Sequence, residues 1–144
     1  MKTMYALVIA ATALACASLQ PAPVVAGDRC LRCRQSIIDV RIAAEVIDAM
    51  HAPFPFRTAG CMAKYVKANA DTSFAAIFVT DHRTGRMLPA SNAWFVPTQI
   101  TAADGRHAEA DYLAFGSRGD AEAFRAHDTP PLRWAQVVAE SSAH

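Results

Sequence analysis

No hydrophobic run in this chain is long enough to span a bilayer. The one conspicuous run, Met4 to Ala15, has 12 residues, against about 20 for a transmembrane helix. No surplus of one charge is present either: 14 basic and 13 acidic side chains leave a formal charge of +1. That argues against a nucleic-acid binder, which normally shows a basic surplus on one face. The chain has no Gly-x-Ser-x-Gly elbow, no glycine-rich phosphate loop and no His-Glu-x-x-His, so no enzymatic constellation is legible. Asp39, Glu45 and Asp48 are close in sequence and read as surface charge. With 53% hydrophobic and 19% charged residues among 144, the chain is not disordered and suits one compact domain or two very small ones.

What is present begins with an address. Lys2, the apolar run and the small residues after it read as a signal peptide over residues 1–26. Two processing sites are open. Ala13-Leu14-Ala15-Cys16 resembles a lipobox, which would make Cys16 a lipidated first residue. Val24-Val25-Ala26 before Gly27 is an ordinary cleavage site. Both place the domain, residues 27–144, in the cell envelope on its periplasmic side, touching a membrane only through a lipid anchor. Removing residues 1–26 removes Lys2 and lowers the formal charge from +1 to zero. Residues 17–29, rich in alanine and proline, read as a tether.

Apart from Cys16, the cysteines are Cys30, Cys33 and Cys61. An odd number in an oxidising compartment means a free thiol, an intermolecular disulfide or a metal site. A Cys30–Cys33 disulfide beside an inert Cys61 and a thiolate metal site both remain open.

The remainder contains a candidate internal repeat. Phe56–Tyr65 aligns without a gap on Phe115–Phe124, at a constant offset of 59 residues. Extending it lays Phe74–Asp81 over Arg133–Glu140. The expectation is an α+β fold of two small, similar strand–helix–strand halves, about residues 28–85 and 86–144. Strands are expected at 42–47, 74–80, 87–88, 93–96 and 111–115, with prolines limiting residues 53–55 to a sheet edge. Thr58 caps a helix running to Ala68 and ended by Asn69, with Met62, Tyr65 and Val66 facing inward. Ser117 opens a second helix reaching about His127. Pro130-Pro131 then precedes a last strand-like run.

In this alignment Cys61 and Asp120 share the first helical turn, where the helix dipole favours negative charge. A thiol placed there is expected to have a lowered pKa and to form a soft thiolate ligand more easily. Cys30 and Cys33 can chelate one ion from a single loop. Met62 and Met87 are thioether candidates, each with core packing as the alternative. Of the five histidines, His51 and His107 are candidate fourth ligands. His82 reads as solvated, His127 as a helix-end residue and His144 as terminal. A closed zinc site of Cys30, Cys33, Cys61 and a histidine would also satisfy this donor set.

The residues as a series resemble a known family. Cys30-x-x-Cys33, Asp39-Val-Arg41-Ile-Ala-Ala44, Phe56-x-Thr58-x-Gly60-Cys61-Met62, Val79-x-Asp81, Ala90-x-x-Ala93-Trp-Phe-Val96, and Ala114-Phe115 with Ala121-x-x-Phe124 are similar to the NosL family. Its members are copper-binding, usually lipid-anchored accessory proteins of nitrous oxide reductase. The resemblance covers about residues 28–139. It implies two similar α+β halves, a Cu(I) ligand set drawn from Cys61, Met62, Cys30, Cys33, Met87 and His107, and a copper-enzyme client or its maturation machinery as partner. This chain departs from the family where the CxxC continues as Arg34-Gln35 in place of Gly-Met, and where Pro97-Thr98-Gln99 carries no methionine. Thiol–disulfide exchange by the CxxC and a structural zinc site are the other functions open to the sequence.

Overall fold

The computed structural model describes residues 18–125 and 129–142. Cys16, His127 and His144 lie outside the described residues, as does most of the leader.

In chain order the elements are β1 (Ala44–Asp48), β2 (Pro53–Phe56), α1 (Ala59–Ala68), β3 (Phe74–Thr80), β4 (Met87–Pro89), β5 (Trp94–Thr101), β6 (Ala108–Phe115), α2 (Arg118–Phe124) and α3 (Trp134–Glu140). Strands β1 to β4 form an antiparallel sheet in the order β2-β1-β3-β4. The prolines of β2 remove backbone donors, and β2 lies at the sheet edge, where that loss is tolerated. β5 and β6 pair from Trp94↔Phe115 to Thr101↔Ala108 as a separate ribbon. A parallel bridge between Asp81 and Ala114 joins the two sheets, and the His82 N–H donates to the Ala114 carbonyl at 2.8 Å.

One core serves both. Val46 and Val79 from the large sheet, Phe56, Met62 of α1, Phe95 of β5 and Val137 of α3 are all fully buried in it. α1 is built as its sequence dictates. Thr58 caps it by accepting from the Cys61 N–H at 3.0 Å, and Asn69 closes it with its N–H on the Tyr65 and Val66 carbonyls. The Tyr65 ring packs 5.2 Å from Phe56 and 6.1 Å from Phe74, centroid to centroid.

The expected duplication is not confirmed, although the two helix starts are alike. Ser117 follows β6 and caps α2 through the Asp120 N–H at 3.1 Å, as Thr58 follows β2 and caps α1. Beyond that the segments part. Residues 74–80 are β3, whereas the Arg133–Glu140 run, expected to be strand-like, is helical in α3. Trp134, Val137 and Val138 recur at the 3.6-residue period and pack on the core. The Arg133 N–H donates to the Gln136 side chain at 2.8 Å, stabilising the helix start. α2 stops at Phe124, short of His127.

The supposed tether is also part of the domain from Ser18 onward. The Ala22 N–H donates to Glu45 Oε1 at 2.9 Å, and Leu19 lines a cavity with Phe74 and Trp134. Glu45, read from sequence as surface charge, is therefore buried, being 2% exposed on the strand between β2 and β3. Burial pushes its carboxyl pKa up, against the opposing effect of the Ala22 N–H.

Candidate metal centre

Cys30 and Cys33 sit on a short hairpin laid against the edge of the large sheet. Gly27 and Ile37 close its base, with the Gly27 N–H on the Ile37 carbonyl at 2.9 Å and the Ile37 N–H on the Asp28 carbonyl at 2.7 Å. The Cys30 N–H donates to Gln35 at 3.0 Å, and the Arg34 N–H returns to the Cys30 carbonyl at 3.0 Å. Arg34 takes a left-handed φ of 62° to make that turn. Ile37 is fully buried and anchors one leg, while the Leu31 N–H ties the tip to Pro55 of β2 at 2.9 Å. Because α1 follows β2 after two residues, this tie holds the hairpin over the start of α1.

The result brings three sulfurs together. The Sγ atoms of Cys30, Cys33 and Cys61 all lie within 4.8 Å of one another. Those of Cys30 and Cys61 are 3.4 Å apart. Cys30 and Cys61 are buried and Cys33 is half-buried, and Cys33 packs against the same core. Metal–thiolate bonds of ~2.3 Å allow sulfurs on one ion to be up to ~4.6 Å apart. Small shifts therefore suffice for all three to share an ion.

The electrostatics divide the thiols. The Cys30 pKa falls from 9.0 to about 5, chiefly because the Cys61 thiol donates to it, with help from the backbone N–H groups of Cys33 and Arg57. Cys61 moves the other way: it holds the shared proton against the Cys30 thiolate, and burial adds to the rise. The helix-start argument expected the lowered pKa at Cys61. At 3.4 Å the two sulfurs share one proton and either can be the donor, so the thiolate belongs to the Cys30–Cys61 pair.

Two residues that sequence reasoning missed hold this arrangement. Arg57 forms an ion pair with Glu109 of β6 and lies against the Cys33 sulfur. Burial disfavours its charge, but Glu109 and Cys33 outweigh that and raise its pKa. Asp111 of β6 receives the Thr58 hydroxyl at 2.6 Å and the Gly60 N–H at 2.8 Å. It therefore fixes the turn on which Cys61 rides. A Cβ on Gly60 would lie 2.6 Å from Asp111 Oδ1, which explains the glycine beside Cys61. The only local signal was a carboxylate in an otherwise apolar strand end.

Of the other candidate ligands, Met87, His107 and His51 stand apart from the sulfurs and Met62 does not. Met62 is fully buried in the core that contains Cys30 and Cys61, and consecutive helix residues point about 100° apart. Met87 is half-buried on β4, paired with Thr80, at the sheet edge opposite β2. His107 is exposed, with Nδ1 on Asp104 Oδ2 at 2.5 Å, and it does not join the sulfurs in the cluster found among the described residues. His51 is an exposed turn residue with a φ of 65°. His82, expected to be solvated, packs edge-on against Phe115 and Phe124, because the bridge to Ala114 draws its turn onto β6.

No family model matches the chain, and no curated protein matches it. Among solved structures, the fold is that of a small α+β protein represented by the crystal structure of the copper chaperone NosL from Shewanella denitrificans. The two superpose with a TM-score of 0.57, over 77% of this chain and 96% of that one, at 16% identity. The resemblance noted in the residues is thus matched by a likeness of fold. No helix among the described residues is long and apolar enough to cross a membrane.

Proposed function

We propose that this protein binds Cu(I) through Cys30, Cys33 and Cys61 and acts as a copper chaperone of the cell envelope. The observation that carries the reading is the convergence of three sulfurs within 4.8 Å. A soft monovalent ion prefers an all-thiolate set of this kind. The half-buried Cys33 supports exchange, since a partly exposed ligand is one an incoming thiol can displace. Likeness of fold to a copper chaperone supports the same reading. Met62 shares the core that contains Cys30 and Cys61 and stays a candidate thioether ligand, whereas His107 lies outside the sulfur cluster and Met87 stands on the far edge of the large sheet. The client proposed is a copper enzyme such as nitrous oxide reductase, or its maturation machinery. The lipidated form beginning at Cys16 is favoured over cleavage after Ala26, because the latter would remove Ala22 from Glu45.

The test is anaerobic competition for Cu(I) against a chromophoric chelator, using reduced protein from Ala17 onward. One Cu(I) per chain is expected, with tight binding lost in Cys61→Ala and in Cys30→Ala. Failure of the reduced wild type to compete would overturn the proposal. A second reading, thiol–disulfide exchange, rests on the 3.4 Å separation of Cys30 and Cys61 and on the lowered Cys30 thiol. It predicts a reduction potential in the oxidoreductase range and no need for metal. A structural zinc site would instead show itself as loss of fold on chelation.

A further inference from the structure

The cysteine hairpin carries three arginines in six residues, Arg29, Arg32 and Arg34. Arg29 and Arg34 are exposed. The acid at the hairpin's base, Asp28, is engaged by the Val25 N–H at 2.9 Å. The chain as a whole is almost neutral, at +1, so this concentration of positive charge at the half-buried thiol is local.

Beside it runs a cleft of about 480 Å³. It begins at Ser36 and Arg57, the latter against Cys33, and is walled by Ile42, Leu113 and Phe124. Two apolar side chains stand exposed on its rim, Ile38 at 78% and Phe124 at 46%. Two nitrogens of residues lining it, Arg57 Nε and His82 Nδ1, are buried without a hydrogen-bond partner. The acidic residue on the rim, Asp39, already accepts from the Arg41 N–H at 2.9 Å. Apolar walls and adjacent cationic side chains call for an occupant with apolar side chains interleaved with carboxylates.

We propose that the cleft and the arginine hairpin together form a docking surface for an acidic, apolar segment of the protein that exchanges copper with this one. The segment seats its apolar side chains against Ile38 and Phe124, places carboxylates towards the exposed Arg29 and Arg34, and brings its own ligands to Cys33. The copper part rests on the proposed function. The docking does not, and it is tested without metal.

The test is fluorescence anisotropy of two labelled peptides of alternating sequence, one Leu-Glu and one Leu-Lys, against reduced, metal-free protein. The acidic peptide is expected to bind at least about tenfold more tightly than the basic one, with the difference collapsing as salt rises from about 0.02 M to about 0.5 M. Arg34→Glu and Phe124→Glu should each weaken the acidic peptide about tenfold. Ile38→Glu, at a rim residue 78% exposed and outside the cysteine hairpin, should weaken the acidic peptide likewise while folding and holding Cu(I) as the wild type does. Equal binding of the two peptides, absence of binding by both, or unchanged affinity in the three variants would overturn the proposal. Salt-sensitive binding to vesicles of anionic phospholipid, with no peptide binding, would assign the surface to a membrane instead. The Cu(I) competition run on the same samples reads the chaperone proposal separately.

Discussion

Asp111 and Gly60 show how much of this site is decided by single side chains that ligate nothing. The Asp111 carboxylate is buried yet accepts from the Thr58 hydroxyl, the Gly60 N–H and the Tyr112 N–H. Burial wins, and its pKa is raised above the ordinary carboxylate range. The native state therefore binds this proton more tightly than the unfolded chain does. Its contribution to stability is complete below the unfolded pKa, about 3.9, and is lost as pH rises through the raised native value. The stability advantage of wild type over Asp111→Asn, read from urea midpoints, is thus expected to shrink as pH rises above about 4 and through the raised native value. A gap that widens towards neutrality would mean that the hydrogen bonds outweigh burial. Gly60→Ala sets a methyl group against the same carboxylate, at 2.6 Å from Oδ1, and should cost about 1–3 kcal/mol. Because it displaces the turn carrying Cys61, it should also weaken Cu(I) binding. The cysteines were legible in the sequence because spacing and compartment restrict what thiols do. Asp111 and Arg57 were not, because their partners lie 51 and 52 residues away, across a register that no local pattern specifies.

At the scale of elements, the two capped helices form an internal comparison. Thr58 and Ser117 each follow a strand ending in phenylalanine and each accept from the N–H three residues on. Both caps were legible, since capping chemistry is local. The extended alignment failed at α3 because Trp134-Ala-Gln-Val-Val-Ala-Glu140 is a short apolar run, for which strand and helix patterns compete. The helix prevails because Trp134 stacks on Phe95, 5.6 Å between centroids, and Val137 fills the core. The caps differ in what depends on them. Thr58→Ala removes a buried cap and the Asp111 partner together, so a loss of about 2 kcal/mol and weaker Cu(I) binding are expected. Ser117→Ala removes an exposed cap, so about 0.5–1 kcal/mol and unchanged Cu(I) affinity are expected. Chemical denaturation and chelator competition on the pair would expose any error, since equal effects on copper would mean that the cap at Thr58 does not position Cys61.

At the scale of the molecule, the segment from Ser18 to Asp28 decides where the domain begins. Composition suggested a tether, because alanine and proline carry no periodic pattern. Its role depends on Glu45, a carboxylate on the most enclosed strand of the large sheet, which receives the Ala22 N–H. Leu19 lines a cavity with Trp134 and Phe74. The same segment leads directly into the hairpin base at Gly27, so its anchoring restrains Cys30 and Cys33 as well. A chain beginning at Gly27 loses the Ala22 donor and Leu19 and leaves Glu45 to water. It should be less stable than one beginning at Ala17 by about 1–3 kcal/mol. Since water would then reach Glu45, its carboxyl pKa should return towards the ordinary range, and the longer chain should lose part of its advantage as pH rises through the raised Glu45 value. Thermal or urea melts of the two chains at acidic and neutral pH measure both effects. Equal stability at both would mean that the segment merely rests on the sheet, and a cleavage site after Ala26 would then be as compatible with the fold as a lipid anchor at Cys16.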